Sequence, residues 1–126
     1  MDQQTGHDAP ASAHTATAHN GIPVIRVAGV LDTESNQHVA NEFRALADTR
    51  PVAIVMDLRD VSFMGSTGIA MLINAQHQAN RLHVPFAIVA DNHSVLRPLQ
   101  VSQVHSTLAL CPTVDEAVAA VRLAST

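Results

Sequence analysis

The residues best placed to do chemistry are Gly65-Ser66-Thr67-Gly68, two hydroxyls between two glycines at the start of an amphipathic stretch. If that stretch is a helix, a phosphoryl group on Ser66 would meet exposed backbone N–H groups and the positive end of the helix dipole. The same hydroxyls could instead cap the helix, with a side-chain oxygen accepting from the first turn, and the residues alone leave both readings open. Catalytic motifs fit poorly. A nucleophile elbow requires glycine two positions before the serine, where Met64 stands. A P-loop requires a lysine, which this chain lacks entirely, and there is no G-x-G-x-x-G. Asp32, Asp57 and Asp60 could imitate a carboxylate-rich Mg²⁺ site, yet Asp32 equally suits a helix cap and Asp60 a solvated loop. No metal and no cofactor is expected. The histidines do not change this: His7, His14 and His19 lie in or beside an N-terminal tail, His77 and His83 do not share a helical face, and no H-E-x-x-H occurs. Cys111 is expected to be a small buried hydrophobe.

These residues need a frame to hold them. Asn20-Gly21 carries the chemistry of a hairpin turn, between a weakly alternating segment Ala11 to Ala18 and a β-branched run Ile22 to Leu31. Asp32-Thr33 reads as the cap of a helix whose Val39, Phe43 and Leu46 fall at three- and four-residue spacing through Ala47. Val52 to Met56 is a continuous apolar run, expected as a strand buried on both faces at the sheet centre. An irregular stretch from Asp57 to Met64 then leads into a helix reaching Leu82. Pro85 to Ala90 reads as another buried strand, Ser94 to Val101 as a short helix that tolerates Pro98 only near its first turn, and Thr107 to Cys111 as a last strand. Thr113 caps a final helix, with Asp115 and Glu116 in its first turn. Strands separated by helices require right-handed crossovers and a mainly parallel sheet. In such sheets ligands gather at the carboxyl ends of strands, where Leu31-Asp32-Thr33, Asp57 to Asp60 and Gly65 to Gly68 are expected to converge. Ile69, Ala70, Met71 and Ala75 give the second helix a wide apolar fringe, suited either to the core or to a switchable protein contact.

At 126 residues the chain is one ordinary domain, read as a tail over 1–10 and a single domain over 11–126. It is 47% hydrophobic and 14% charged, which argues for a compact globule over a disordered chain. A net charge of −4, no lysine and three aromatic residues, all phenylalanine, exclude a phosphate-tracking or base-stacking face, so no nucleic acid is expected. A single cysteine fits a reducing, cytoplasmic setting; no secretory signal and no membrane-spanning run is read, and no membrane partner is expected.

The stretch Ile54-Val55-Met56-Asp57-Leu58-Arg59-Asp60-Val61-Ser62-Phe63-Met64-Gly65-Ser66-Thr67-Gly68-Ile69-Ala70 resembles the central motif of the STAS domain of bacterial anti-sigma-factor antagonists. Upstream, Ala28-Gly29-Val30-Leu31-Asp32 resembles the Gly-x-Leu-Asp that follows the second strand in that family. The resemblance covers roughly residues 11 to 122. It implies an α/β fold, a mixed β-sheet of about five strands with an initial hairpin and then parallel strands, and about four α-helices. It also implies a regulator without catalytic residues that binds an anti-sigma factor, often a Ser/Thr kinase, and is released when phosphorylated. Carried over by position, Ser66 is the phosphoacceptor, with Asp32, Asp57, Gly65, Thr67 and Gly68 as its neighbours and Thr33, Met64, Ile69 and Ala70 as partner-binding positions. Gly65 departs from the family pattern, which usually has Asp there, and slower phosphorylation is the expected consequence. Two rival readings are a STAS scaffold or stress-sensing regulator outside sigma control, and a small nucleotide- or phosphate-binding protein using the Gly65 to Gly68 helix terminus.

Overall fold

The structure, a computed structural model, describes residues 12–18, 21–104 and 106–124. The expected tail, with His7, and Ala11, His19 and Asn20 lie outside the described residues. The elements run β1 (Ser12–Ala18), β2 (Ile22–Leu31), α1 (Ser35–Asp48), β3 (Ile54–Met64), α2 (Ser66–Leu82), β4 (Phe86–Val89), α3 (His93–Val101), β5 (Leu110–Cys111) and α4 (Val114–Ala124). They form one mixed sheet in the order β1-β2-β3-β4-β5, in which β1 pairs antiparallel with β2 and every other pair is parallel. Gly21 takes φ 82 at the hairpin turn, a conformation that glycine adopts without steric cost.

Because the parallel strands follow one another across the sheet in a single direction, right-handed crossovers put all the connecting helices on the same face. The core divides accordingly. Ile54, Met56 and Leu58 of β3 point into a cluster with Phe43 of α1, Leu72 of α2 and Leu99 of α3. Val55 of β3 and Ala87 and Val89 of β4 point the other way, into a smaller cluster closed by Ala117, Val118 and Val121 of α4. The period-two alternation of a strand thus feeds two cores at once, which is why β3 reads as an unbroken apolar run.

Four local expectations need correcting. Val52 is 68% exposed and precedes the strand, which begins at Ile54. The stretch from Asp57 to Met64 is not irregular but continues β3, paired with β2 as far as Leu31↔Met64; register shifts between Arg26 and Ala28 and between Gly29 and Val30 break the alternation that would have marked it as strand. The last strand is only Leu110–Cys111, because Thr107 is taken into a turn by its N–H bond to the Val104 carbonyl. Pro98 lies inside α3, beyond the first turn, so the Ser94 carbonyl loses its helical donor. The start of α3 is secured instead by the Asn92 carbonyl, which accepts from Val95 and Leu96 at 3.1 and 3.0 Å.

Candidate functional site

Where β2 and β3 end, the Gly65 N–H donates to the Leu31 carbonyl at 3.3 Å, drawing the entries to α1 and α2 onto one rim. Asp32 and Ser35 lock the first entry reciprocally. The Asp32 N–H donates to Ser35 Oγ at 3.0 Å and the Ser35 N–H donates to Asp32 Oδ1 at 3.0 Å. The Ser35 hydroxyl lies 2.6 Å from the Val30 carbonyl and 2.9 Å from Asp32 Oδ1. The helix therefore starts at Ser35, with Asp32 satisfying its first free donor. Hydrogen bonds from the Ser35 backbone and then its hydroxyl hold the exposed Asp32 carboxyl below the usual carboxylate range.

The second entry is capped by backbone alone. Gly65 is the N-cap residue of α2, in extended conformation at φ −88 and ψ −176, and no side chain caps the helix. Its carbonyl accepts from Gly68 at 3.0 Å and Ile69 at 3.2 Å. Neither Ser66 nor Thr67 is thus used as a cap. Both are exposed, but they differ: Thr67 Oγ1 accepts a 2.8 Å hydrogen bond from Asn36 Nδ2 of α1, whereas the Ser66 hydroxyl has no partner among the described residues. Gly68 is buried, and a Cβ there would fall 2.6 Å from Met64 Cγ, so glycine lets α2 seat against the end of β3.

Thr33 and Ala70 are exposed on this rim and Ile69 is half-buried. Met64 is not available to a partner: it is 3% exposed, packed beneath Gly68 in the larger core, where Met71 and Ala75 are buried too. Asp57 is also not a neighbour of Ser66. It lies seven residues before the end of β3, on the order of 20 Å along the strand, and on the α4 side of the sheet, beside Val89. There it is 4% exposed and bound by Arg59 Nε at 2.9 Å and Nη2 at 2.8 Å, with Arg26 Nε at 3.8 Å. Burial pushes its carboxyl up, but the hydrogen bonds and charge of Arg59, with Arg26, outweigh this and leave it below its ordinary value. The strand runs on past Asp57 to Met64 and so carries the rim away from it.

Two residues of this rim do not stand out in the sequence. Phe63 is 55% exposed beside Gly65, turned outward where the register shifts of β2 against β3 interrupt simple alternation. Asn36 sits on the apolar stripe of α1, three residues before Val39 and seven before Phe43; a polar residue interrupting that stripe was the available signal. Between α1 and α2 runs an open groove of about 300 Å³, bordered by Thr33, Asn36, Arg44, Thr67, Ala70 and Asn74. Among the described residues, no group of three or more His, Cys, Asp and Glu side chains could hold a metal ion, and no helix is long and apolar enough to cross a membrane.

Residues 13–117 match the STAS domain family. The chain belongs to that family. Among STAS relatives it is similar to the anti-sigma-F factor antagonist RsfB of Mycobacterium tuberculosis, 28% identical over 108 residues that cover 86% of this chain and 88% of RsfB. Its fold matches the crystal structure of an anti-sigma factor antagonist from Mycobacterium paratuberculosis with a TM-score of 0.83, at 29% identity over 91% of this chain and 98% of that one. The unphosphorylated form of the anti-sigma factor antagonist SpoIIAA shares the STAS fold at a TM-score of 0.69, with 18% identity over 88% of this chain and 96% of SpoIIAA.

Proposed function

We propose that this STAS domain is an anti-sigma-factor antagonist: unmodified, it binds a kinase-like anti-sigma factor in the cytoplasm and so frees a sigma factor, and phosphorylation at Ser66 ends the contact. The observation that carries the reading is the state of Ser66, an exposed hydroxyl without a hydrogen-bond partner among the described residues, on the first turn of a 17-residue helix. Phosphate adds about 1.5 to 2 negative charges at such a site. Within the domain the helix N-terminus accommodates them, and against a docked partner without a matching cation they must be desolvated. The partner surface on this reading is the rim itself: Thr33, Ile69 and Ala70 around Ser66, with exposed Phe63 as an apolar contact beside Gly65. The protein supplies the acceptor oxygen and the partner supplies the chemistry, so no catalytic residue of its own is required. The names of the mycobacterial relatives support the sigma-factor assignment.

The test is pairwise binding to the anti-sigma factors of the source organism, followed by incubation with each binder and ATP and mapping by mass spectrometry. Phosphate on Ser66 and loss of binding after modification are the expected results. Phosphate on another residue would overturn the site, and capture of other STAS proteins without an anti-sigma factor would favour a scaffold outside sigma control.

A further inference from the structure

We infer that Asn36 biases the choice of phosphoacceptor, restraining Thr67 so that Ser66 is the preferred receiver of the phosphoryl group. The inference rests on the reading of Ser66 as a phosphorylation site and adds the residue that makes the choice. Ser66 and Thr67 are adjacent, both exposed and both in the first turn of α2, so accessibility does not separate them. What separates them is the 2.8 Å hydrogen bond from Asn36 Nδ2 to Thr67 Oγ1, reaching across from α1. Transfer requires the hydroxyl oxygen to attack the terminal phosphorus of a nucleoside triphosphate. The new O–P bond forms as the bond to the bridging oxygen breaks, the nucleoside diphosphate leaves with that electron pair, and the hydroxyl proton passes to a base of the kinase. An oxygen already accepting from Asn36 has one lone pair engaged. A threonine is stiff about χ1, so a single bond is enough to fix its side chain toward α1.

Asn36 is an uneconomical choice for any purely structural purpose. It is 7% exposed, on the same stripe of α1 as Val39 and Phe43, and its Oδ1 is buried without a protein partner among the described residues. A buried acceptor left unsatisfied destabilises a fold, and an apolar side chain of the same size would not carry that penalty. Satisfying only the Thr67 side of the amide is what a residue placed to restrain Thr67 would do.

The experiment compares the wild type with Asn36→Ala, and with Asn36→Leu should the alanine leave a disruptive cavity. A binding anti-sigma kinase and ATP are used, with phosphate mapped by mass spectrometry and Thr67 χ1 read from three-bond NMR couplings. Thr67 is expected in one χ1 rotamer in the wild type and averaged in the variants. The share of phosphate on Thr67 is expected to rise about five-fold, the worth of one neutral hydrogen bond. In a Ser66→Ala background, transfer to Thr67 should run about five-fold faster when Asn36 is also replaced. A merely structural tie would change the melting temperature and leave the phosphate distribution alone. Phosphate confined to Ser66 in every protein, or an averaged Thr67 in the wild type, would overturn the role of Asn36 with the Ser66 reading intact. Phosphate on neither hydroxyl of the wild type would overturn that reading and the selection with it.

Discussion

Two polar groups of this protein look alike in sequence and are treated oppositely by the fold. Asp57 sits in the middle of the central strand, 4% exposed, with a bidentate hydrogen bond from Arg59 and Arg26 nearby. Ser66, past the end of the same strand, is exposed and without a partner among the described residues. The carboxylate is consumed by structure: Arg59 neutralises it, and in return the Asp57 hydrogen bond, with the charges of Asp57, Asp91 and Asp60, holds the guanidinium above its ordinary pKa. The hydroxyl is left exposed and unengaged, the state that the proposed phosphorylation requires. A polar side chain announces neither role by type; the partners that the fold brings to it decide.

The sharpest way to break the comparison is to put a carboxylate where no arginine waits. Val55 lies two residues before Asp57, on the same face of β3, fully buried against α4. Val55→Asp would bury a charge without a partner at a cost of several kcal/mol, a large part of the ~5–15 kcal/mol of a typical domain. Urea unfolding should give an insoluble or largely unfolded variant. An unchanged midpoint would mean that β3 is not packed as described.

At the other pole, a charge on Ser66 should spare the fold and harm only the contact. Ser66→Glu places a carboxylate at a helix N-terminus, where the dipole favours it, so stability should change by less than about 0.5 kcal/mol. Affinity for the anti-sigma factor should fall about a hundredfold, near 3 kcal/mol, through desolvation of that charge at the interface. Calorimetry on Ser66→Ala and Ser66→Glu side by side checks both halves. Equal affinities would place the interface elsewhere.

Removing Asp57 should do the reverse, costing about 2 kcal/mol of stability by stranding Arg59, while anti-sigma binding is retained. The estimate is moderated because the Arg59 side chain is 33% exposed and stays partly solvated. The pH dependence carries a sign. A carboxyl with a depressed pKa in the folded state contributes stability fully above its unfolded value, near pH 4, and loses that contribution as pH falls through the folded value. The wild type should therefore lose stability below about pH 4, and Asp57→Ala should show a shallower loss in the same window. A parallel pair of acid curves would show that Asp57 is not linked to folding.

Legibility in the sequence follows the same division. The hairpin, the alternation of strands and helices and the central position of β3 were readable because apolar runs and helical stripes are local patterns. The length of β3 was not, because its register shifts against β2 depend on a partner strand. Hence the sequence alone places Asp57 at the rim, although β3 runs on to Met64. Ser66 stands out in the sequence because its glycine-flanked position is local, whereas the engagement of Thr67 depends on Asn36, 31 residues away on another helix. The burial of Met64 is not local either, because it depends on Gly68 admitting the side chain from the next element.

The smallest expected effect concerns Gly65, where the family usually carries aspartate. The backbone there poses no obstacle: φ −88 and ψ −176 suit any residue, and a Cβ would lie 3.6 Å from Phe63 Cε2, an ordinary contact. Aspartate caps helices somewhat better than glycine, by a few tenths of a kcal/mol, so Gly65→Asp should be as stable as the wild type or slightly more so. The introduced carboxylate stands next to Ser66 and has two opposed effects. It disfavours the phosphorylated product by like-charge repulsion, which exposure and salt screen, and it restores the acidic residue of the motif that this segment resembles, a recognition charge for the proposed kinase. Screening weakens the repulsion while a docked kinase reads the carboxylate at short range, so recognition should prevail. Phosphorylation of Gly65→Asp should run about threefold faster than wild type, equivalent to about 0.7 kcal/mol of barrier. Initial rates with the same kinase and saturating ATP decide it: a slower variant would show that repulsion dominates and that glycine is the better residue for phosphorylation in this chain.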